Sequence, residues 1–197
     1  MIWLLAIAEI GAAEPKNSNW LSPQDTPTRV MPSNVVQSVG IGVTVTPEGK
    51  FQSCTVEKSS GNSLLDQHTC KIVQRRARFR PAVDLAGSAA YGVYRVNISW
   101  YVGDGLPPPS FGLPDAEVRL STAPPKTRLP LALIVKFVVD EQGRMSNCAG
   151  AGKKANPELV TVACDQILKS YRATPARTAY GVAVPSVQSG TVLFRSN

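Results

Sequence analysis

Over residues 39–46 apolar side chains alternate with small or polar ones, so that Val39, Ile41, Val43 and Val45 fall on one side of an extended backbone. A period of two marks a strand with one buried face. Thr46-Pro47-Glu48-Gly49 supplies turn residues, and residues 51–58 read as the returning strand of a hairpin, with Cys54 and Val56 on a common face. The period then lengthens. Leu65, Thr69, Ile72, Val73 and Arg76 recur at helical spacing, Asn62 stands ahead of them as an N-cap, and Pro81 stops the run. Residues 91–102 alternate again, with Val93, Arg95, Asn97 and Ser99 on one side and Tyr94, Val96, Ile98 and Trp100 on the other.

The same plan returns 94 residues later. Gly49 falls on Gly143, Cys54 on Cys148, Asn62 on Asn156, Leu65 on Leu159, Cys70 on Cys164, and Pro81-Ala82 on Pro175-Ala176. Leu133, Val135, Phe137 and Val139 stand where the first strand has its valines and isoleucine, so the apolar alternation survives where identity is lost. In the second helix Val160, Cys164, Ile167, Leu168 and Tyr171 form the expected stripe, and Pro157 suits its first position. A last strand is expected over residues 182–194, less regular because of Pro185 and Gly190. The expected fold is therefore α+β, as two tandem small domains. Each is a three-stranded antiparallel sheet packed against one helix in the order β-β-α-β. The boundaries read as residues 28–103 and 124–197, with a Pro-rich linker over 104–123.

The four cysteines, Cys54, Cys70, Cys148 and Cys164, are the only ones in the 197 residues, and each copy holds two of them sixteen positions apart. Four cysteines allow three connectivities, of which the equal intervals favour Cys54 with Cys70 and Cys148 with Cys164. A bridge closing such a loop stabilises by about 3 kcal/mol in the chain-entropy picture, a large share of a small domain's total. Zinc is disfavoured, because the short C-x2-C spacing is missing and the single histidine, His68, has no counterpart in the second copy. Disulfides place the chain in an oxidising compartment. The apolar run that ends in Gly11-Ala12-Ala13 fits this, as a signal peptide or short anchor over residues 1–13.

Charge and site chemistry narrow the function classes. The net charge is +7, densest at Arg75, Arg76, Arg78 and Arg80. That run coincides with a helix end, where cations complement the macrodipole, and this solvated helix end is preferred to a nucleic-acid groove, which usually adds exposed aromatics that stack on bases. His68 lies within the helix with no serine or free thiol beside an assigned base, and the cysteine spacing is that of staples and not of a redox C-x-x-C. No enzyme, cofactor, metal or small-molecule substrate is expected.

The stretch "VGIGVTVTPEGKFQSCTVEKSSGNSLLDQHTCKIVQRRARFRPA" resembles the C-terminal domain of TonB energy transducers. The resemblance is carried by the turn at Pro47 to Gly49, Ser59 to Gly61 after the second strand, Leu65 with Asp66 at the helix start, and Arg78 to Ala82. The second copy keeps the turn, the helix and Pro175-Ala176 and looks like a degenerate version. The resemblance implies a periplasmic module, either free or tethered to the inner membrane, that binds outer-membrane receptors by adding their extended segment to its sheet. The last strand of the first copy, through Tyr91, Val93, Arg95, Asn97 and Ser99, is the candidate edge. Another envelope protein, or peptidoglycan met by the basic surface, is the alternative partner.

Overall fold

The computed structural model describes residues 9–17, 21–104, 114–152 and 155–197. The first half contributes β1 (Val36–Val45), β2 (Phe51–Lys58), α1 (Ser63–Arg76) and β3 (Ala89–Tyr101). The second contributes β4 (Ala116–Leu120), β5 (Leu131–Val139), β6 (Met145–Gly150), α2 (Pro157–Ser170) and β7 (Ser186–Ser196). Each helix is fixed at its start by an asparagine. The side chain of Asn62 accepts from the amides of Leu64 and Leu65, and that of Asn156 from those of Glu158 and Leu159, so donors that have no partner within the helix are satisfied.

The hairpin turns repeat as closely. Gly49 (φ +76°) and Gly143 (φ +81°) take the left-handed conformation, and a Cβ there would meet the carbonyl of Phe79 at 2.6 Å or that of Ala173 at 2.8 Å. Each turn is thus pressed against the chain leaving its own helix, and only glycine fits both demands. The disulfides join Cys54 to Cys70 and Cys148 to Cys164 with Cα atoms 5.8 and 5.6 Å apart, tying the second strand of each half to its helix.

The expectation of two separate three-stranded sheets needs correction. All the main strands belong to one eight-stranded sheet in the order β2-β1-β3-β7-β5-β6, with β4 alongside β7 and the short strand Ala82–Val83 alongside β3. Within each half the pairing is antiparallel except for β4, which runs parallel to β7, and the halves themselves join in parallel, with Tyr91, Gly92 and Val93 opposite Ser186, Val187 and Gln188. No local pattern announces this, because both partners are the last strands of their halves and a free edge can accept any other.

Parallel pairing of last strands has a geometric consequence. Partners in register share a face, so the even-numbered residues of β3 lie on the same side as the odd-numbered residues of β7. Tyr94, Val96, Ile98 and Trp100 pack into the core beneath α1, whereas Val192 and Phe194 pack beneath α2. The two helices therefore cover opposite faces of the common sheet. Their cores remain distinct, one around Val43, Leu65 and Phe79, the other around Phe137, Ile167 and Phe194.

Two further readings differ from expectation. Residues 116–120, read as linker, form β4, which runs parallel to β7 from Ala116 opposite Val192 to Leu120 opposite Ser196. In α2 the buried stripe is Leu159, Ala163, Cys164 and Ile167, while Leu168 is exposed. The true stripe repeats Leu65, Thr69, Cys70 and Val73 position for position; Val160 and Leu168 had looked equally apolar. Residues 1–8 of the expected leader lie outside the described residues, but Ile10 and Ala13 are buried in the first core and Glu14–Pro15 pairs with Phe79–Arg80.

Candidate functional site

β3 is paired along one side from Gly92 with Val45 to Tyr101 with Val36. On its other side the partnership with β7 ends at Val93, and among the described residues no strand continues it over 94–101. The two strands diverge because β7 changes neighbour. Asp115, just before β4, donates its amide to the Thr191 carbonyl and accepts the Thr191 amide on its carboxylate, each at 2.8 Å. Thr191 is thereby committed to β4. Lys58 at the end of β2 holds the wedge in place, donating to the Pro114 carbonyl at 2.6 Å and lying 3.5 Å from the Asp115 carboxylate.

The result is a fork, a cleft of about 440 Å³ lined by Tyr94, Arg95 and Ser99 of β3, by Ser189 and Thr191 of β7, and by Asp115. Arg95 forms its floor. Its Nε donates to Glu57 at 3.1 Å, and its guanidinium lies 4.5 Å over the ring of Tyr171, the residue that ends α2. A cation over an aromatic face is favourable, more so when water is excluded. Burial raises the Tyr171 phenol to about 12, with Arg95 opposing and Glu57 and Asp115 adding to the rise. Burial likewise raises the carboxyl of Glu57, against the pull of Arg95. The halves are thus locked by one polar cluster as well as by three residues of strand pairing.

The motif residues of the first half pack as a unit behind this edge. Asp66, on the first turn of α1, accepts from Ser59 Oγ at 2.6 Å, from Ser60 N at 3.0 Å and from Ser60 Oγ at 2.8 Å. Burial alone would raise its carboxyl, but these hydrogen bonds outweigh it and hold the group below its ordinary range. Phe79 is buried against Tyr94 at 5.6 Å between ring centres, and Ala82 is fully buried. The serines therefore serve the aspartate, and the aspartate fixes the loop that leads from β2 into α1.

Residues 27–102 match the Gram-negative bacterial TonB protein C-terminal family. No curated protein and no solved structure matches the chain. The TonB-like segment holds β1, β2, α1, β3 and the first disulfide, and it ends at the strand whose edge opens into the fork. TonB C-terminal domains are periplasmic protein-interaction modules of Gram-negative bacteria, and they bind envelope proteins such as outer-membrane receptors.

Of the candidate edge residues in the TonB-like domain, Tyr91 and Val93 lie in register with β7 and are covered by the second half. Arg95, Asn97 and Ser99 lie along the stretch beyond it. Arg95 is engaged with Glu57 and Tyr171, and Ser99 Oγ is 2.9 Å from Ser38 Oγ. His68 is oriented by structure: its Nε2 lies 2.6 Å from the Asp25 carbonyl and its ring is tilted on Trp100. Among the described residues no group of acidic, histidine or cysteine side chains could hold a metal. Glu57 and Asp115 escaped the sequence reading, and Tyr171 entered it only as part of the α2 stripe. Their partners are 38 or more positions away, and no periodicity links them.

Proposed function

We propose that the chain is a periplasmic TonB-like binding module, built from two copies of one unit, that takes an extended segment of an envelope protein into the fork between its halves. The segment adds to β3 along residues 94–101, on the side away from β1, where β7 has left it. The divergence of β3 from β7 after Val93 is the observation that carries the reading. Main-chain hydrogen bonds supply affinity in such strand addition, and pockets for alternate side chains supply selectivity. Here Arg95 and Ser99 on one face, with Tyr94 and Val96 on the other, would read the incoming segment. Outer-membrane receptors are the partner class that the TonB-like domain suggests, and a share in energising their transport would require tethering to the inner membrane. The reading assigns no catalytic step and no cofactor.

The test is disulfide trapping. All four native cysteines are bridged, so Ser99→Cys introduces the sole free thiol. Peptides from receptor amino-terminal segments, each with one cysteine moved along the sequence, should be trapped at every second position. Trapping without a period of two, or none at all, ends the strand-addition reading. The net charge of +7 supports a second reading, a wall-associated scaffold. Salt-sensitive retention on isolated peptidoglycan, with no receptor segment bound, would favour it.

A further inference from the structure

One end of the molecule carries a feature that strand addition does not use. The turns after β1 and β5, the starts of β3 and β7, and the exits of both helices all lie at the same end of the sheet. The register requires this, because Val45 pairs with Gly92, Val187 lies beside Gly92, and Val139 pairs with Ser186. The glycine turns close on the helix exits at Phe79 and Ala173, which brings the last helical turns to the same pole. The fork opens toward the opposite end, since β3 and β7 separate after Val93 and Gln188.

Two loops project from this pole. Residues 84–88 link the short strand Ala82–Val83 to β3, and residues 178–182 link Ala176–Arg177 to Ala183–Val184, 94 positions later. Their tips are apolar and bare: Tyr180 is 95 % exposed, Val182 60 % and Leu85 49 %. Cations share this pole with them. Arg75 and Arg78 leave the first helix, and Lys169, Arg172 and Arg177 leave the second, all exposed. None of these five is in an ion pair among the described residues, whereas Arg76 and Arg80 beside them are paired with Asp25 and Glu14. Arg78 and Arg172 donate to the carbonyls that end their helices, which holds both guanidiniums at the helix exits.

We propose that this pole docks on an anionic lipid surface, with Leu85, Tyr180 and Val182 entering the headgroup layer and the arginines and lysines facing lipid phosphates. Five cations without an ion pair among the described residues outnumber Asp84, Glu48 and Glu141 at this pole, and apolar tips beside such an excess are the chemistry of a peripheral membrane site; tyrosine suits the interface because its ring is apolar and its hydroxyl wet. An anionic polymer would use the charge and leave the tips idle. Docked this way, the fork faces away from the bilayer.

Co-sedimentation of the full chain with phosphatidylcholine vesicles, and with vesicles enriched in phosphatidylglycerol, tests the proposal. Binding should require the anionic lipid and weaken with salt. Each cation brought to an anionic leaflet is worth about fivefold, so Arg75→Gln with Lys169→Gln should weaken binding by roughly 25-fold. Leu85→Ser, Tyr180→Ser and Val182→Ser together touch no core residue, so they should abolish the anchored fraction and leave the circular dichroism of the folded chain unchanged. No binding to anionic vesicles overturns the docking proposal. So does binding that ignores the loop substitutions, which would identify a purely electrostatic, polymer-type surface. Receptor-segment trapping at Ser99→Cys is read separately, so either proposal can fail alone.

Discussion

Thr69 and Trp100 in the first half occupy the places of Ala163 and Phe194 in the second. In the first half the indole nitrogen donates to the threonine hydroxyl at 2.9 Å, and that hydroxyl donates to the Leu65 carbonyl at 2.8 Å. In the second half donor and acceptor are both gone, and their replacements are fully buried. The same exchange occurs at the helix start, where Asp66 with Ser59 and Ser60 gives way to Val160 with Lys153 and Lys154. Losing one member of a buried polar pair leaves the other unsatisfied, but losing both is nearly neutral. The second half therefore lacks these polar pairs as whole units but has the same glycine turn, asparagine cap and disulfide. The family match, over residues 27–102, covers the half that holds these polar pairs.

Experiments on equivalent positions can break this comparison. The largest effect is expected from the staples. Replacing Cys54 and Cys70 by serine, or Cys148 and Cys164, should each cost about 3 kcal/mol in urea unfolding, because the loops are equally long. A markedly unequal loss would mean that one half leans on its core much more than the other. Next comes the buried pair. Thr69→Ala leaves the Trp100 donor without its acceptor and should cost about 1–3 kcal/mol. Adding Trp100→Phe, which installs the chemistry of the second half, should recover part of that loss. A double-mutant cycle with no coupling would refute exchange as a unit.

The caps should give a smaller and more even effect. Asn62→Ala and Asn156→Ala should each cost about 1 kcal/mol, with amide exchange rising in the first turn of the affected helix alone. The smallest effect is one of pH. The folded Asp66 carboxyl titrates below its ordinary value of 3.8. A depressed folded value contributes stability that is complete above the unfolded value and is lost as pH falls through the folded one. Stability should thus decline below the ordinary carboxylate range, and Asp66→Val, which copies the second half, should flatten that part of the decline. An unchanged acid limb would show that the serines do not hold the charge.

Much of this architecture was legible in the chain. The faces of β3 follow from a period of two, and the helix starts from Asn62 and Asn156. The bridges sit where equal cysteine intervals placed them, because the loop into each helix is the same length. The stripe of α2 was misread because Val160 and Leu168 are as apolar as Leu159 and Ala163, so hydrophobicity could not orient the helix. Aligning it on Leu65 and Thr69 would have done so. The strand Ala116–Leu120 was hidden in a Pro-rich stretch, and it forms by pairing with β7, with Asp115 gripping Thr191 at its start.

The sequence by itself determined each unit: its hairpin, its capped helix, its staple and the side chains each strand turns inward. These depend on neighbours a few residues apart, or on loops closed by a covalent bond. The tertiary structure alone decided that β3 and β7 pair in parallel, that the helices cover opposite faces, and that Arg95, paired with Glu57 in its own half, meets Tyr171 across the join. A strand edge offers the same amides and carbonyls to every partner, so which edges meet is settled by how the whole chain packs.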